Sequence, residues 1–280
     1  MQLDYQMPDP ALRSLLTVHA RVTEVAAERT EILPAMLPNL HVRLAGACRY
    51  GFNDGVEREA PRVALIGPTS AAYRMRLQPG FVMVGTGFLP KGWMALARVP
   101  PAELRDTLID GADLWGRSEV ENLCDALLHA GTPAATWSVL EGFLADRFRP
   151  CEDTGRSASR IIDDWLETSG DLRLDDLART LDVGARHLRR LTLETHGVSP
   201  KTLAMKYRCL RAAGALALKG REGVDEALPL FADQAHLIRD FRRFIGWTPT
   251  AFLGGAQIVA AGTIRGRRLA GAARPLALLS

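Results

Sequence analysis

Two hydrophobic rhythms divide the chain. In residues 73–78 the apolar Tyr73, Met75 and Leu77 alternate with Arg74, Arg76 and Gln78, a period of two that marks a strand with one face on a core. Residues 41–44 repeat the alternation more briefly, and residues 62–66 and 81–84 read as buried strands. Turn residues punctuate these runs: Pro34, Pro38, Asn53-Asp54-Gly55, Gly67-Pro68 and Pro79-Gly80. Residues 12–88 are therefore expected to form a small antiparallel barrel or sandwich.

Beyond Val99-Pro100-Pro101 the rhythm changes to that of a helix. A helix is predicted over residues 101–108, with Pro101 near its first position and Glu103 in its first turn. A second is predicted to start from Ser118 as N-cap, with Glu121 as its capping-box partner. Val120, Leu123, Cys124 and Leu127 then share one face. A third helix, over residues 135–148, carries Trp137, Leu140, Phe143 and Leu144 in the same way. These stripes either close the core of their own domain or form a dimer interface. The polar stretch 149–156 is read as a linker, and residues 159–168 as a helix with Ile161, Ile162, Trp165 and Leu166 on its apolar face.

The strongest signal follows. Residues 175–181 predict a short helix with Leu177, Ala178 and Leu181 inward. Asp182-Val183-Gly184 is a tight turn, and residues 185–196 form a second helix stopped by Gly197. This is a helix-turn-helix pattern. In its second helix Leu188 and Leu191 face the first, leaving Arg186, Arg189 and Arg190 on the outer side, near the end that enters a major groove. The arginine fork bonds guanine O6 and N7 together, and a shifted arginine holds phosphate. The alternative is a merely solvated basic face. The phrase that closes this motif, Gly197-Val198-Ser199-Pro200, returns as Gly246-Trp247-Thr248-Pro249, 49 residues on.

Charge sharpens this picture. Residues 156–280 hold 20 Lys and Arg against 13 Asp and Glu, whereas residues 1–155 hold 15 against 19. A basic C-terminal half suggests a polyanionic partner for that half alone. The four cysteines, Cys48, Cys124, Cys151 and Cys209, are scattered without a Cys-x-x-Cys pair, as expected of free, mostly buried thiols in a reducing cytoplasm. No apolar run is long enough for a membrane helix, and the N-terminus does not read as a signal peptide.

Residues 174–252 resemble the tandem helix-turn-helix domain of the AraC/XylS family of bacterial transcription regulators. The match rests on Arg186-His-Leu-Arg-Arg-Leu, Gly197-Val-Ser-Pro, Asp233-Gln-Ala-His-Leu-Ile-Arg-Asp-Phe and Gly246-Trp-Thr-Pro. The resemblance implies seven helices, with residues 202–218 as a rod joining the two motifs. Leu203, Tyr207, Leu210 and Leu218 would be packing positions on that rod, with Lys201, Lys206, Arg208 and Arg211 within reach of backbone phosphates. In the second motif the reading helix would span residues 233–244. It would present Gln234, His236, Ile238 and Arg239 outward or to bases, keep Leu237 and Phe241 in the core, and offer Arg242 and Arg243 to phosphates. For His236 a capping or phosphate-contacting role is equally open. Two such helices on one rod enter successive major grooves roughly 34 Å apart.

Two places depart from the family pattern. Thr192 stands where a large aromatic is usual. Residues 224–231 are about two residues short and carry Pro229, which interrupts a helix, and Leu230 replaces the usual Gly. Base specificity is therefore expected to rest on the first motif.

The N-terminal half is similar to an uncharacterised β-rich, sensor-like domain that often precedes AraC-type domains, through Ile32-Leu-Pro, Leu65-Ile-Gly-Pro, Val84-Gly-Thr-Gly-Phe-Leu-Pro and Leu108-Ile-Asp-Gly-Ala-Asp-Leu-Trp-Gly. That arrangement implies a cupin-like barrel for effector binding or dimerisation. Metal-binding cupins need His-x-His, and His19 and His41 stand alone, so no metal and no cofactor is expected. Gly85-x-Gly87 reads as a turn or bulge.

The expectation is an α+β chain of two domains. Residues 1–148 form a small antiparallel β-barrel with trailing helices, 149–156 a linker, and 157–254 an all-α tandem helix-turn-helix domain. Residues 255–280 form a flexible basic tail with Arg265, Arg267, Arg268 and Arg274. The function expected is sequence-specific binding of double-stranded DNA under control of a small-molecule effector, in a possible homodimer. No effector-binding residue is legible in the sequence. Two further readings make the N-terminal half an enzymatic module, including a methyl-accepting one, or a dimerisation module alone. No Ser/His/Asp set, carboxylate pair or reactive cysteine pair supports the enzymatic reading, and neither Cys48 nor Cys151 has the local pattern of a methyl acceptor.

Overall fold

The computed structural model describes residues 1–97, 99–149, 156–255 and 259–279. The N-terminal half opens with strands β1 (Gln2–Gln6), β2 (Leu16–Thr23), β3 (Arg29–Leu33), β4 (Asn39–Ala45) and β5 (Cys48–Gly51). It continues through β6 (Glu57–Glu59), β7 (Val63–Ile66), β8 (Tyr73–Leu77) and β9 (Val82–Phe88), with β10 (Leu108–Asp110) after a helix. They form a six-stranded sheet, β1-β2-β9-β4-β7-β10, and a four-stranded sheet, β3-β8-β5-β6, both antiparallel. Tyr73, Met75 and Leu77 face inward, as their alternation predicts. With Tyr50, Phe81, Met83 and Val22 they fill the core between the two sheets.

The large sheet is buried on its second face too. Helices α1 (Pro90–Ala97), α2 (Gly111–Trp115), α3 (Arg117–His129) and α4 (Pro133–Ala145) surround that side. Trp93, Leu123, Leu127, Trp137 and Leu140 pack there against Leu40, Val42, Leu65 and Val84. Burial on both faces is why β7 and β9 are apolar almost throughout instead of alternating.

Three local expectations are corrected here. Residues 101–108 are not a helix: a single 3-10 turn, Pro101–Leu104, gives way to extended Arg105 and to Asp106 at φ +56, and β10 follows. The Asp106 carboxylate instead accepts hydrogen bonds from the Ser70 backbone N–H and hydroxyl, at 2.7 and 2.5 Å. Ser118 is not an N-cap either; α3 begins one residue earlier, after Gly116 at φ +88. Strand β1 was missed because its five residues are mostly polar or half-buried. The linker reading at 149–156 falls mainly on residues outside the described ones, as does Cys151.

The C-terminal half is helical: α5 (Arg156–Thr168), α6 (Leu174–Thr180), α7 (Ala185–His196), α8 (Pro200–Lys219), α9 (Gly223–Ala227), α10 (Gln234–Ile245) and α11 (Pro249–Gly254). Helix α8 is the rod, with Leu203, Tyr207 and Leu210 buried and Leu218 exposed, so Leu218 is no packing position. Pro229 acts as its chemistry requires: α9 stops at Ala227 and a 3-10 turn, Leu228–Leu230, replaces its last turn.

The repeated phrase is a helix stop fused to a helix start. Gly197 and Gly246 end α7 and α10 in the left-handed region, at φ +75 and +87. Ser199 and Thr248 then cap α8 and α11 by accepting from the N–H groups of Thr202 and Ala251, with a proline in each first turn.

The tail departs most from expectation. In place of a flexible arm, α12 (Val259–Leu269), α13 (Pro275–Leu279) and the turn between them bury Ala260, Ile264, Arg267, Ala272 and Leu276. They pack between α8 and strands β1, β2 and β3. Their small apolar residues merge with one continuous core that joins Val18, Ala35 and Leu37 of the N-terminal half to Tyr207, Phe241 and Phe244.

Candidate nucleic-acid interface

Helix α7 is amphipathic in the sense expected of a reading helix. Leu188 is buried and Leu191 half-buried, while Arg186, Arg189 and Arg190 are exposed. Arg190 lies against Glu194, at 3.0 Å, and the His187 imidazole, at 2.7 Å. An exposed pair of this kind is worth little and opens readily. Thr192 is fully buried, its hydroxyl donating to the Arg189 carbonyl at 3.2 Å.

Helix α10 presents Gln234 and Arg239 to solvent. His236 is more constrained. Its Nε2 lies 2.9 Å from the buried Asp240 carboxylate, one turn on, and its ring meets Phe231 edge-on. Asp233 caps the helix by accepting from the His236 backbone N–H at 2.7 Å.

The structure gathers some of the expected cations and separates others. Lys201 and Arg208 on α8 share an open groove with His236 and Arg239 on α10, so one cationic trough runs between the rod and α10. Arg242 and Arg243 are exposed but line a different cleft, against Gly51, Phe52, Asn53, Gly55 and residues 71–74 at the edge of the small sheet. There the Arg243 carbonyl accepts from the Ala72 N–H at 2.8 Å.

Two expected phosphate contacts are built into the fold instead. Arg211 caps the end of α5, donating to the carbonyls of Leu166 at 2.6 Å, Gly170 at 3.2 Å and also Ser169. Its guanidinium answers carbonyls that a helix C-terminus leaves open. Lys206 is 2% exposed and its ammonium reaches the N-terminal half, donating to the carbonyls of Met36 at 2.6 Å and Thr69 at 3.3 Å. Burial pushes its pKa down to about 7, opposed by the charge of Asp106. Lys206 is therefore an interdomain bolt and cannot reach a phosphate in this arrangement. Sequence spacing put it on the rod but could not say which side the N-terminal half covers.

Both helix stops meet that same half. A side chain at Gly197 would collide with Pro68 and Pro101, and one at Gly246 with Ile32. The Ala35 N–H donates to the Phe244 carbonyl at 2.7 Å. The C-terminal ends of α7 and α10 are thus seated on the sheet half, which fixes the two helices relative to each other.

A partly open cavity of about 80 Å³ lies between the sheets of the N-terminal half and α12. It is lined mainly by apolar side chains, among them Val18, Met36, Met75 and Ile264, with a few polar groups. Its apolar walls with a few polar groups have the character of a small-ligand site; sequence reasoning missed it because its walls come from both ends of the chain. Among the described residues no three His, Cys, Asp or Glu side chains converge as metal ligands. His19 is tied to Glu141 at 2.8 Å and His41 to the Tyr50 hydroxyl at 2.6 Å. Burial raises the Cys48 thiol to about 12, which disfavours the thiolate that a methyl acceptor needs. No helix is long and apolar enough to cross a membrane among the described residues.

Comparison with known proteins agrees with this organisation. The family described as a helix-turn-helix domain matches residues 177–254, which span α6 to α11 apart from the first three residues of α6. No curated protein sequence matches the chain. Among solved structures, a single-site variant of apo ToxT from Vibrio cholerae strain SCE256 aligns with a TM-score of 0.53 at 13% identity, covering 84% of this chain and 97% of that one. Wild-type ToxT from the same strain, bound to an unsaturated fatty acid, aligns at 0.48 and 13%, covering 90% and 94%. The AraC-like transcriptional activator CuxR aligns at 0.31 and 15%, covering 81% and 90%. At these identities the first alignment speaks for the fold, and the lower scores add nothing to it. Two capped helices on one rod, behind an antiparallel sheet half, make residues 177–254 an AraC-type helix-turn-helix domain in a chain with the fold of ToxT.

Proposed function

We propose that the chain is a transcription regulator that binds a specific double-stranded DNA sequence under control of a small molecule held in its N-terminal half. The observation that carries the DNA reading is the pair α7 and α10. Each is exposed along its polar face, each is capped by the same Gly-x-Ser/Thr-Pro device, and both are anchored to α8. Helices held this way suit two neighbouring turns of a major groove. Arg186, Arg189 and Arg190 are assigned to base reading in the first motif, and Gln234 and Arg239 in the second. Lys201 and Arg208 are assigned to phosphates; His236, held by Asp240, is a lesser candidate for base contact. The apolar cavity between the sheets and α12 supports control by a ligand. Pairing of two copies would place four reading helices on one operator.

Selection from a random duplex library, followed by sequencing, tests this reading. A recurring site is expected, with affinity that falls steeply as salt rises because several phosphates shed counterions. Equal binding to all duplexes, or to none, would sink it.

A further inference from the structure

We propose that the outer face of the small sheet is a second contact surface for the DNA duplex, gripping backbone phosphates beside the bases that α10 meets. This rests on the regulator reading above and extends it into the N-terminal half.

The face follows from the strand register. On β8 the residues that point away from the core are Arg74 and Arg76, alternating with buried Tyr73, Met75 and Leu77. On β5 Arg49 alternates in the same way with buried Cys48 and Tyr50. The register sets Arg49 opposite Arg76 and Gly51 opposite Arg74, so three arginines share one patch. Like charges directly across two strands destabilise a sheet. Arg76 is answered by Glu57 at 3.4 Å, whereas Arg49 and Arg74 have no ion pair among the described residues.

The patch continues onto α10. The row that carries Arg74 begins at Ile32 on β3, which lies against the helix stop at Gly246. Arg74, Arg242 and Arg243 consequently line one open cleft with Gly51 and Asn53. On α10 itself Ala235, Arg239 and Arg242 are exposed, and their spacing makes them one outward stripe of the helix. That stripe leads from the start of the helix, where base contacts are assigned, to the cleft. The carboxylates of this sheet face, Glu57 and Glu59, stand on the far edge strand β6. Asp54, in the loop beside the cleft, is paired with Arg58.

An occupant of this surface must carry a row of negative charge and run past the end of α10. A duplex seated on α10 does both, since its phosphates continue beyond the bases that are read. Arginine contacts to phosphate position a protein without reading sequence. The sheet half thus adds grip and salt dependence, and α7 and α10 keep the specificity.

Binding of the full chain to a selected duplex, followed by fluorescence anisotropy across a salt series, tests the proposal. Two duplexes are compared: the selected bases alone, and the same bases with about 10 bp, one helical turn, added on each side. The wild type is expected to bind the longer duplex several-fold more tightly and with a steeper salt dependence. Arg49→Gln/Arg74→Gln should remove that advantage, lowering the slope of log K against log salt on the longer duplex by about 2. It should leave binding to the shorter duplex unchanged. Arg49→Lys/Arg74→Lys keeps the charge and should keep the slope. The melting temperature of the glutamine variant should be unchanged or raised, since a like-charge pair is relieved.

Absence of a length advantage in the wild type overturns the proposal. So does a glutamine variant that loses equally on both duplexes, or a lysine variant that loses as much as the glutamine one. If the glutamine variant fails to fold, hydroxyl-radical footprinting of the wild type decides. Backbone protected beyond the selected bases on at least one side is expected, and protection confined to those bases overturns the assignment. A protein that selects a site yet gains nothing from the flanks loses this inference and keeps the regulator reading. One that selects no site loses the regulator reading, and this inference with it.

Discussion

The ammonium of Lys206 lies 2.6 Å from the carbonyl oxygen of Met36, 170 positions away in the chain. It joins the middle of the rod to the loop between β3 and β4, and its burial lowers its pKa from 10.5 to about 7. Between those values the unfolded chain holds a proton that the folded chain has released, so stability rises with pH through that window. Below about pH 7 both states are protonated and the full cost of burying the charge is felt. Lys206→Met removes this linkage. The stability difference between wild type and variant should shift in favour of the wild type from about pH 7 to about pH 9, as read from thermal melts. Parallel pH profiles for the two proteins would show that Lys206 is not buried as described.

Arg190 is held only by exposed neighbours, so it is free to turn to a base. Arg190→Ala should weaken binding to a selected duplex by about 1–3 kcal/mol and leave binding to random duplex nearly unchanged. An equal loss on both would make Arg190 a phosphate contact.

Arg211 predicts the opposite pattern. Its three carbonyl acceptors lie at the end of α5 and in the loop after it, and losing charged hydrogen bonds there should cost about 1.5–3 kcal/mol of stability. Arg211→Met should lower the unfolding midpoint in urea, while affinity per folded molecule for duplex DNA stays within about twofold, since no phosphate contact is lost. A selective loss of DNA affinity with unchanged stability would restore Arg211 to the interface.

Gly246 combines a left-handed backbone, φ +87, with close approach to Ile32. Gly246→Ala should destabilise by about 1–2 kcal/mol from the backbone alone, with more from displacing Ile32. Proteolysis should then cut more readily between the halves. Ala at Gly184, where φ is −77 and no neighbour is close, serves as the control and should be tolerated.

Much of the fold was legible locally. Alternation in 73–78, the Arg/Leu spacing of 185–196 and the doubled Gly-x-Ser/Thr-Pro phrase each depend on one element's own period or cap. These signals survive without knowledge of what packs against them. Expectations failed where an element's environment decides its conformation. Residues 101–104 have a helix-start composition, but Asp106 is committed to Ser70, so the chain turns into a strand. The Ala/Gly-rich tail looked too weak to order itself, yet small residues let α12 and α13 lie close against the sheet and the rod.

The sequence by itself therefore determined the two exposed helices α7 and α10, the rod that joins them and the arginines they expose, because helical period and capping chemistry are properties of neighbouring residues. Only the tertiary structure decided which basic residues are free. Arg190 and Lys201 remain at the surface, Arg211 closes a helix end, Lys206 bolts the halves together, and Arg267 faces a cavity between the two ends of the chain. A lysine or arginine carries the same charge in all these places; what differs is which distant backbone or wall lies opposite, and that is fixed only when the halves pack.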